Sequence, residues 1–146
     1  MTFVPQYAST ATLYILRQAD SANASDASSD FSLALKVVND CTYLLKSHTV
    51  LDEVISSLNL DMEYEDLYDC VSTSNPEDTR ILEVTVKADS PELAKRIVDR
   101  ICTIGSQRIE DAMGFQQVNL YELGTTDPNP CNSTRMLLLL WCMCFF

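Results

Sequence analysis

The stretch Ser74-Asn75-Pro76-Glu77-Asp78-Thr79-Arg80-Ile81-Leu82-Glu83-Val84-Thr85-Val86-Lys87-Ala88-Asp89-Ser90-Pro91-Glu92-Leu93-Ala94 reads as a polar turn, an alternating strand and a helix start. Pro76 and the acidic pair Glu77-Asp78 supply the turn chemistry. Leu82, Val84 and Val86 then face one way while Glu83, Thr85 and Lys87 face the other, the period of a half-buried strand. Ser90 is placed to cap the following helix. Pro91 stands at its first turn, where a missing N–H costs nothing.

Working downstream, Leu93, Ala94, Ile97, Val98, Ile101, Cys102, Gly105, Ile109 and Ala112 keep the helical period, so a long helix is expected from Pro91 to Met113. Gly114 supplies the left-handed residue that ends it, and a last strand follows over Gln117–Leu123. Upstream, Tyr7–Leu16 is β-prone and Arg17–Ser29 reads as a mobile loop of Ala, Ser and Asp. Ser29 or Asp30 opens a helix striped by Phe31, Ala34, Leu35, Val38 and Leu45, which Leu33, Val37 and Leu44 widen. Thr49-x-x-Asp52 approximates a capping box for a second helix carrying Leu51, Val54, Ile55 and Leu58. A short acidic helix around Glu63–Asp69 leads to a strand near Val71–Ser74.

The expected fold is therefore α+β: a sheet of about four strands with helices packed mainly on one face. The order is strand, helix, helix, short helix, strand, strand, helix, strand. The Asn75–Arg80 turn favours an antiparallel pair, whereas the long crossover helices permit parallel neighbours, so a mixed sheet is expected. One domain over residues 1–124 is expected, followed by a Pro-containing linker over 125–135. Met136–Phe146 is wholly apolar, yet 11 residues of helix reach only about 16 Å against about 30 Å of bilayer hydrocarbon. This segment is expected to insert partially or self-associate, as an incomplete membrane helix.

Ten Lys and Arg stand against 21 Asp and Glu, for a formal charge of −11. Such a surface repels phosphate backbones, which argues against nucleic-acid binding. The cysteines, Cys41, Cys70, Cys102, Cys131, Cys142 and Cys144, do not fall into a zinc pattern. Cys41 and Cys102 lie on apolar helix faces, where a thiol acts as a small hydrophobe, and that reading is preferred to a disulfide framework. Met1–Gln6 is too short for a cleavable signal peptide.

The inventory of catalytic groups is thin. His48 is the single histidine and is read as an exposed helix-entry residue. Gly105, Gly114 and Gly124 are scattered and form no phosphate loop. No cleft-forming aromatic cluster is expected, the single Trp141 lying in the apolar tail. From Asp52 to Asp78 there are nine acidic residues and no Lys or Arg. Asp61-x-Glu63-x-Glu65 matches the start of a calcium loop, but Asp66 stands where the central Gly belongs and Ser72 where the bidentate Glu belongs. A solvated acidic face is preferred, and neither cofactor nor metal is expected. Arg80, between the acidic run and the strand, is expected to pair with Glu77 or Asp78, or to brace the hairpin loop.

The wording of several segments, in order, resembles the extracytoplasmic domain of Wzz-type polysaccharide chain-length determinants, closest to the Gram-positive capsule and exopolysaccharide branch. Pro76–Val86 followed by Asp89–Asp99 carries most of the likeness. Tyr7–Ile15, Asp30–Leu35, Thr42–Ser47, Thr49–Ile55 and Tyr64–Leu67 extend it, to cover roughly Tyr7 to Leu123. The resemblance implies a non-enzymatic regulator of glycan length and export at the bacterial plasma membrane, with this domain on the extracytoplasmic face. It implies homo-oligomers that gather a polysaccharide polymerase and growing glycan, and in full-length relatives a cytoplasmic tail acting on a tyrosine autokinase. Members begin with a membrane helix before the first strand, so this stretch is expected to be a fragment or the product of a truncated gene. Candidate subunit or partner contacts are Pro76, Glu77, Asp78 and Arg80 of the turn and Lys95, Arg96, Arg100 and Arg108 of the long helix. Those cations would meet Asp61, Glu63, Glu65, Asp66 and Asp69 of a neighbour, a heterologous contact able to close a ring. The alternatives are a small carboxylate hydrolase acting on glycan and a calcium- or ligand-sensing extracellular module.

Overall fold

The computed structural model describes residues 5–17, 27–76, 79–113 and 116–126. Its elements are β1 (Tyr7–Arg17), α1 (Ala27–Leu45), α2 (His48–Leu58), α3 (Tyr64–Cys70), β2 (Val71–Ser74), β3 (Ile81–Ala88), α4 (Pro91–Met113) and β4 (Gln116–Thr126). The expected α+β order is observed. Gly114, Glu77, Asp78, most of the 125–135 linker, the apolar tail and most of the expected 17–29 loop lie outside the described residues.

The sheet runs β2-β3-β1-β4, and all three pairings are antiparallel. The parallel relationships that the crossover helices permit do exist, β3 with β4 and β1 with β2, but in each case one strand lies between. This is the split β-α-β arrangement, in which each crossover skips a strand and the first strand enters the gap. No neighbouring pair is therefore parallel, and the mixed sheet expected from the sequence is corrected to an antiparallel one. The β1–β4 register shifts between Thr10 and Leu13, an irregularity without a sequence signal.

The alternation on β3 sets the inner face: Leu82, Val84 and Val86 are fully buried, as are Ala11 and Leu13 of β1. Each large side chain so buried contributes roughly 1.5–3 kcal/mol. The outward face is polar, with Thr10 and Thr85 paired in register and their hydroxyls 2.8 Å apart. α4 lies across the inner face and buries Ile97, Val98, Ile101, Cys102, Ile104 and Ile109. α1 and α2 pack against it from above, through Val38, Cys41 and Leu45 and through Val50, Leu51 and Val54.

Ser90 caps α4 as expected, its Oγ accepting from Leu93 N–H at 3.2 Å. The cap of α2 differs. Ser47, in an extended conformation, precedes the first helical residue, His48, so Thr49 lies inside the first turn and cannot be the cap. The Ser47 hydroxyl donates back to Leu44 O at 2.6 Å, joining the two helices with a two-residue turn. α2 ends on Asn59 in the left-handed region, with Leu60 N–H reaching Ile55 O at 3.0 Å.

Cys41 and Cys102 are free and buried, and burial pushes both thiols from the ordinary 9.0 up to about 12. Cys70 is less buried, and its thiol is raised first by desolvation and then by Asp66, Asp69 and Asp89. Alkylation with iodoacetamide near pH 8.5, read peptide by peptide, should therefore modify Cys70 well before Cys41 and Cys102. Denaturant should equalise them. Equal rates in the native chain would contradict the packing.

Candidate functional site

Three segments meet at one end of the helical layer. The last two turns of α1 bring Asn39, Thr42 and Tyr43, the turn after it brings Lys46, the start of α2 brings His48 and Thr49, and α3 brings Tyr64, Glu65, Tyr68 and Asp69. Thr73 of β2 closes the base. Between them lies a groove of about 1010 Å³, at the upper end of the roughly 300–1,000 Å³ usual for ligand pockets.

Its aromatic side chains are held in place. The Tyr64 ring stacks on His48 with centroids 3.5 Å apart and 21° between planes, and Tyr68 lies 5.7 Å from Tyr64. Tyr64 Oη donates to Lys46 O at 2.8 Å, so its ring bridges the α1–α2 turn to α3. The Lys46 ammonium sits 3.8 Å above the Tyr68 ring, a cation–π contact. Partial desolvation, followed by the neighbouring Tyr68, holds the Tyr64 phenol above its ordinary value. Tyr43 is 80% exposed and Tyr68 41%. The absence of an aromatic cluster expected from the sequence is thus corrected: four rings from three segments converge. The available signal was Tyr64 and Tyr68 at i, i+4 on a short helix, one face by geometry.

His48 is exposed at a helix entry as read, with Nδ1 3.6 Å from Asp52 Oδ2. The acidic segment divides. Glu63 and Asp66 close a capping box at the start of α3, the Glu63 N–H donating to Asp66 Oδ2 at 3.4 Å. Asp61, Glu65 and Asp69 are exposed. Among the described residues no three His, Cys, Asp or Glu side chains are grouped to hold a metal ion.

The basic residues divide too. Lys95 Nζ is bonded to Asp99 Oδ2 at 2.9 Å and to Gly124 O at 3.0 Å, and Arg108 pairs with Glu53 of α2 at 2.8 Å. Both are engaged within the domain. Arg96 and Arg100 are exposed one turn apart, in a shallow groove of about 350 Å³ with Leu58 and Thr103, and neither has an ion-pair partner among the described residues. In the turn, Pro76 O accepts from Thr79 N–H and Oγ1, and Arg80 O accepts from Ile15 N–H at 3.0 Å. Asn75, the first residue of that turn, organises the loop by donating to Thr79 O and Ile81 O at 2.6 Å each.

Among the described residues no helix is long and apolar enough to cross a membrane. No family model matches the chain. It is 29% identical over 142 residues to the capsular polysaccharide biosynthesis protein CpsC of Streptococcus pneumoniae, covering 94% of this chain and 62% of that one. It is 25% identical over 101 residues to the probable capsular polysaccharide biosynthesis protein YwqC of Bacillus subtilis, covering 69% and 41%. The CpsC of Streptococcus agalactiae is 23% identical over 126 residues, covering 86% and 54%. The chain thus spans about two fifths to three fifths of the length of these relatives. The likeness to Wzz-type chain-length determinants read from the sequence is borne out, for this chain is a homologue of CpsC and YwqC proteins.

Proposed function

We propose that the chain serves capsular polysaccharide biosynthesis as a non-enzymatic domain, on the extracytoplasmic face of the bacterial plasma membrane. There it tunes glycan length by assembling copies of itself around a polymerase and its growing product. The tyrosine autokinase of full-length relatives would be reached through segments other than this domain.

The observation that carries the scaffold is the division of the cations. Lys95 and Arg108 are engaged inside the domain, while Arg96 and Arg100 stand exposed beside each other without a partner among the described residues. Asp61, Glu65 and Asp69 are exposed on and just before α3. Patches of opposite charge on one chain suit a heterologous contact between copies, of the kind that repeats around a ring. A non-catalytic role is supported by the groove's carboxylates, Glu65 and Asp69, which stand one turn apart on a single helix. A hydrolase places its pair on opposite sides of the bond.

The test splices residues 1–135 between the membrane helices of a capsule-forming host's own length regulator, in a strain lacking that regulator. A shift from a broad or short glycan profile to a defined longer one is expected. Arg96→Glu with Arg100→Glu should abolish the shift and lower the assembly state in detergent. An unchanged assembly state in the reversed variant would remove this contact from the proposal. A folded, membrane-inserted hybrid with no effect on length would remove the length-control role.

A further inference from the structure

Two of the three large apolar side chains most exposed among the described residues, Tyr43 and Tyr68, border the groove between α1, α2 and α3. Neither serves the core. Tyr43 in particular is 80% exposed, and its placement beside hydrogen-bonding side chains points to a ligand with both apolar and polar faces. Around the rings stand Asn39 and Thr42, an amide and a hydroxyl, with the carboxylates Glu65 and Asp69 on the rim. The Lys46 ammonium is turned onto Tyr68 instead of into open solvent.

We infer that this groove is a saccharide-binding subsite for neutral pyranose units. A pyranose ring carries axial C–H bonds on one face and hydroxyls around its edge. Its C–H face matches the electron-rich face of Tyr43, whose negative quadrupole attracts the polarised C–H hydrogens, while Tyr68, whose ring already holds the Lys46 ammonium, borders the same groove. Its vicinal hydroxyls match a carboxylate, which accepts two hydrogen bonds from a diol, and an amide, which both donates and accepts. The same carboxylates disfavour uronic acids and other anionic sugars by like-charge repulsion. A nucleic acid is disfavoured for the same reason, and an apolar helix or lipid tail would strand the polar side chains of the walls. The stacking of His48 on Tyr64, and the bond of Tyr64 to Lys46 O, fix the floor before any ligand arrives. That preorganisation lowers the ordering cost of binding. The inference deepens the proposed capsule role by assigning where growing glycan touches the domain.

The experiment is saturation-transfer NMR on the whole chain in a detergent without a sugar headgroup. The probes are maltotetraose, cellotetraose, a β-1,4-galactotetraose and, as the anionic arm, a hyaluronan tetrasaccharide. At least one neutral tetrasaccharide should bind with Kd on the order of 1 mM, and the hyaluronan fragment more weakly. Tyr43→Ala and Tyr68→Ala should each weaken binding about tenfold, while Tyr43→Phe, which keeps the ring face, should bind as the parent does. Tyr43 projects into solvent, so its truncation leaves the fold intact, as an unchanged thermal midpoint will verify. Binding of none of the neutral probes at about 10 mM, or equal binding by both alanine variants, overturns the site. Equal or tighter binding of hyaluronan overturns its preference for neutral sugars. A chain that assembles and sets length without binding sugar overturns the groove alone. One that binds sugar but neither assembles nor sets length overturns the scaffold alone.

Discussion

Gly105→Val should destabilise the domain by about 3 kcal/mol, and Gly105→Ala by about 1–2 kcal/mol, although alanine is the better helix former. Gly105 lies in the middle of α4, buried against the end of α1. A Cβ there would overlap Leu45 Cδ2 and stand 3.5 Å from Leu45 Cγ. Leu45 is itself fully buried, so its side chain has no solvent to swing into. Replacing glycine by alanine in a helix gains about 1 kcal/mol of propensity, while forcing a methyl group into a packed core costs about 1–3 kcal/mol or more. Overlap with a confined neighbour puts this site at the costly end, so the clash wins. Valine adds two further methyl groups and recovers less propensity. The check is urea unfolding with an unchanged m value. Leu45→Ala alone should cost about 2–5 kcal/mol, but in the Gly105→Ala background it should cost less, since the new methyl group occupies part of the cavity. A Gly105→Ala chain as stable as the parent would show that the α1–α4 approach is looser than described.

Gly105 also marks how far periodicity reads. The stripe of α4 and the alternation of β3 follow from residue spacing, because each element buries one face and the spacing counts that face. Spacing cannot count a second neighbour. Ile104 was passed over and is buried, because α1 and α2 both lie on α4 and widen its covered arc, whereas Ala112 fits the stripe and is exposed near the helix end. The aromatic groove was hidden for a related reason. Tyr43, His48, Tyr64 and Tyr68 belong to three segments, and only the two-residue turn after Leu45 and the capping box at Glu63 bring them together. The pairings of the cations were partly open to reading. Lys95 and Asp99 have the i, i+4 spacing of a helical pair, but Arg108 and Glu53 are 55 residues apart and meet only because α2 crosses α4. The sheet order needed tertiary knowledge throughout, since nothing local states that β1 enters between β3 and β4.

Asp99→Ala should cost about 2–3 kcal/mol, more than its place on a half-exposed helix position suggests. Its two oxygens do different work. Oδ1 accepts from Gly124 N–H at 2.7 Å, and Oδ2 holds Lys95 Nζ at 2.9 Å, which in turn donates to Gly124 O at 3.0 Å. One carboxylate therefore serves both polar groups of a buried main-chain residue, directly and through a lysine. Gly124 is confined as well: a Cβ there would lie 2.6 Å from Val98 Cγ1 and 2.8 Å from Ser9 Oγ. Gly124 is buried, so its N–H depends on the Asp99 acceptor. An orphaned buried donor costs about 1–3 kcal/mol, to which a partly exposed ion pair adds about 0–1 kcal/mol. Asp99→Asn keeps Oδ1 as the acceptor for Gly124 N–H but turns its NH2 group toward Lys95, so an intermediate loss is expected. Lys95→Ala, which leaves the Asp99–Gly124 bond in place, should lose least. Hydrogen exchange at the Gly124 amide separates this account from a general loss of helix stability. Its protection should fall in Asp99→Ala by more than that of the α4 core amides, because β4 would be released before α4 unfolds. If protection fell equally along α4 and β4, or if Lys95→Ala proved the most damaging of the three, the carboxylate would not be the tie between this strand and helix.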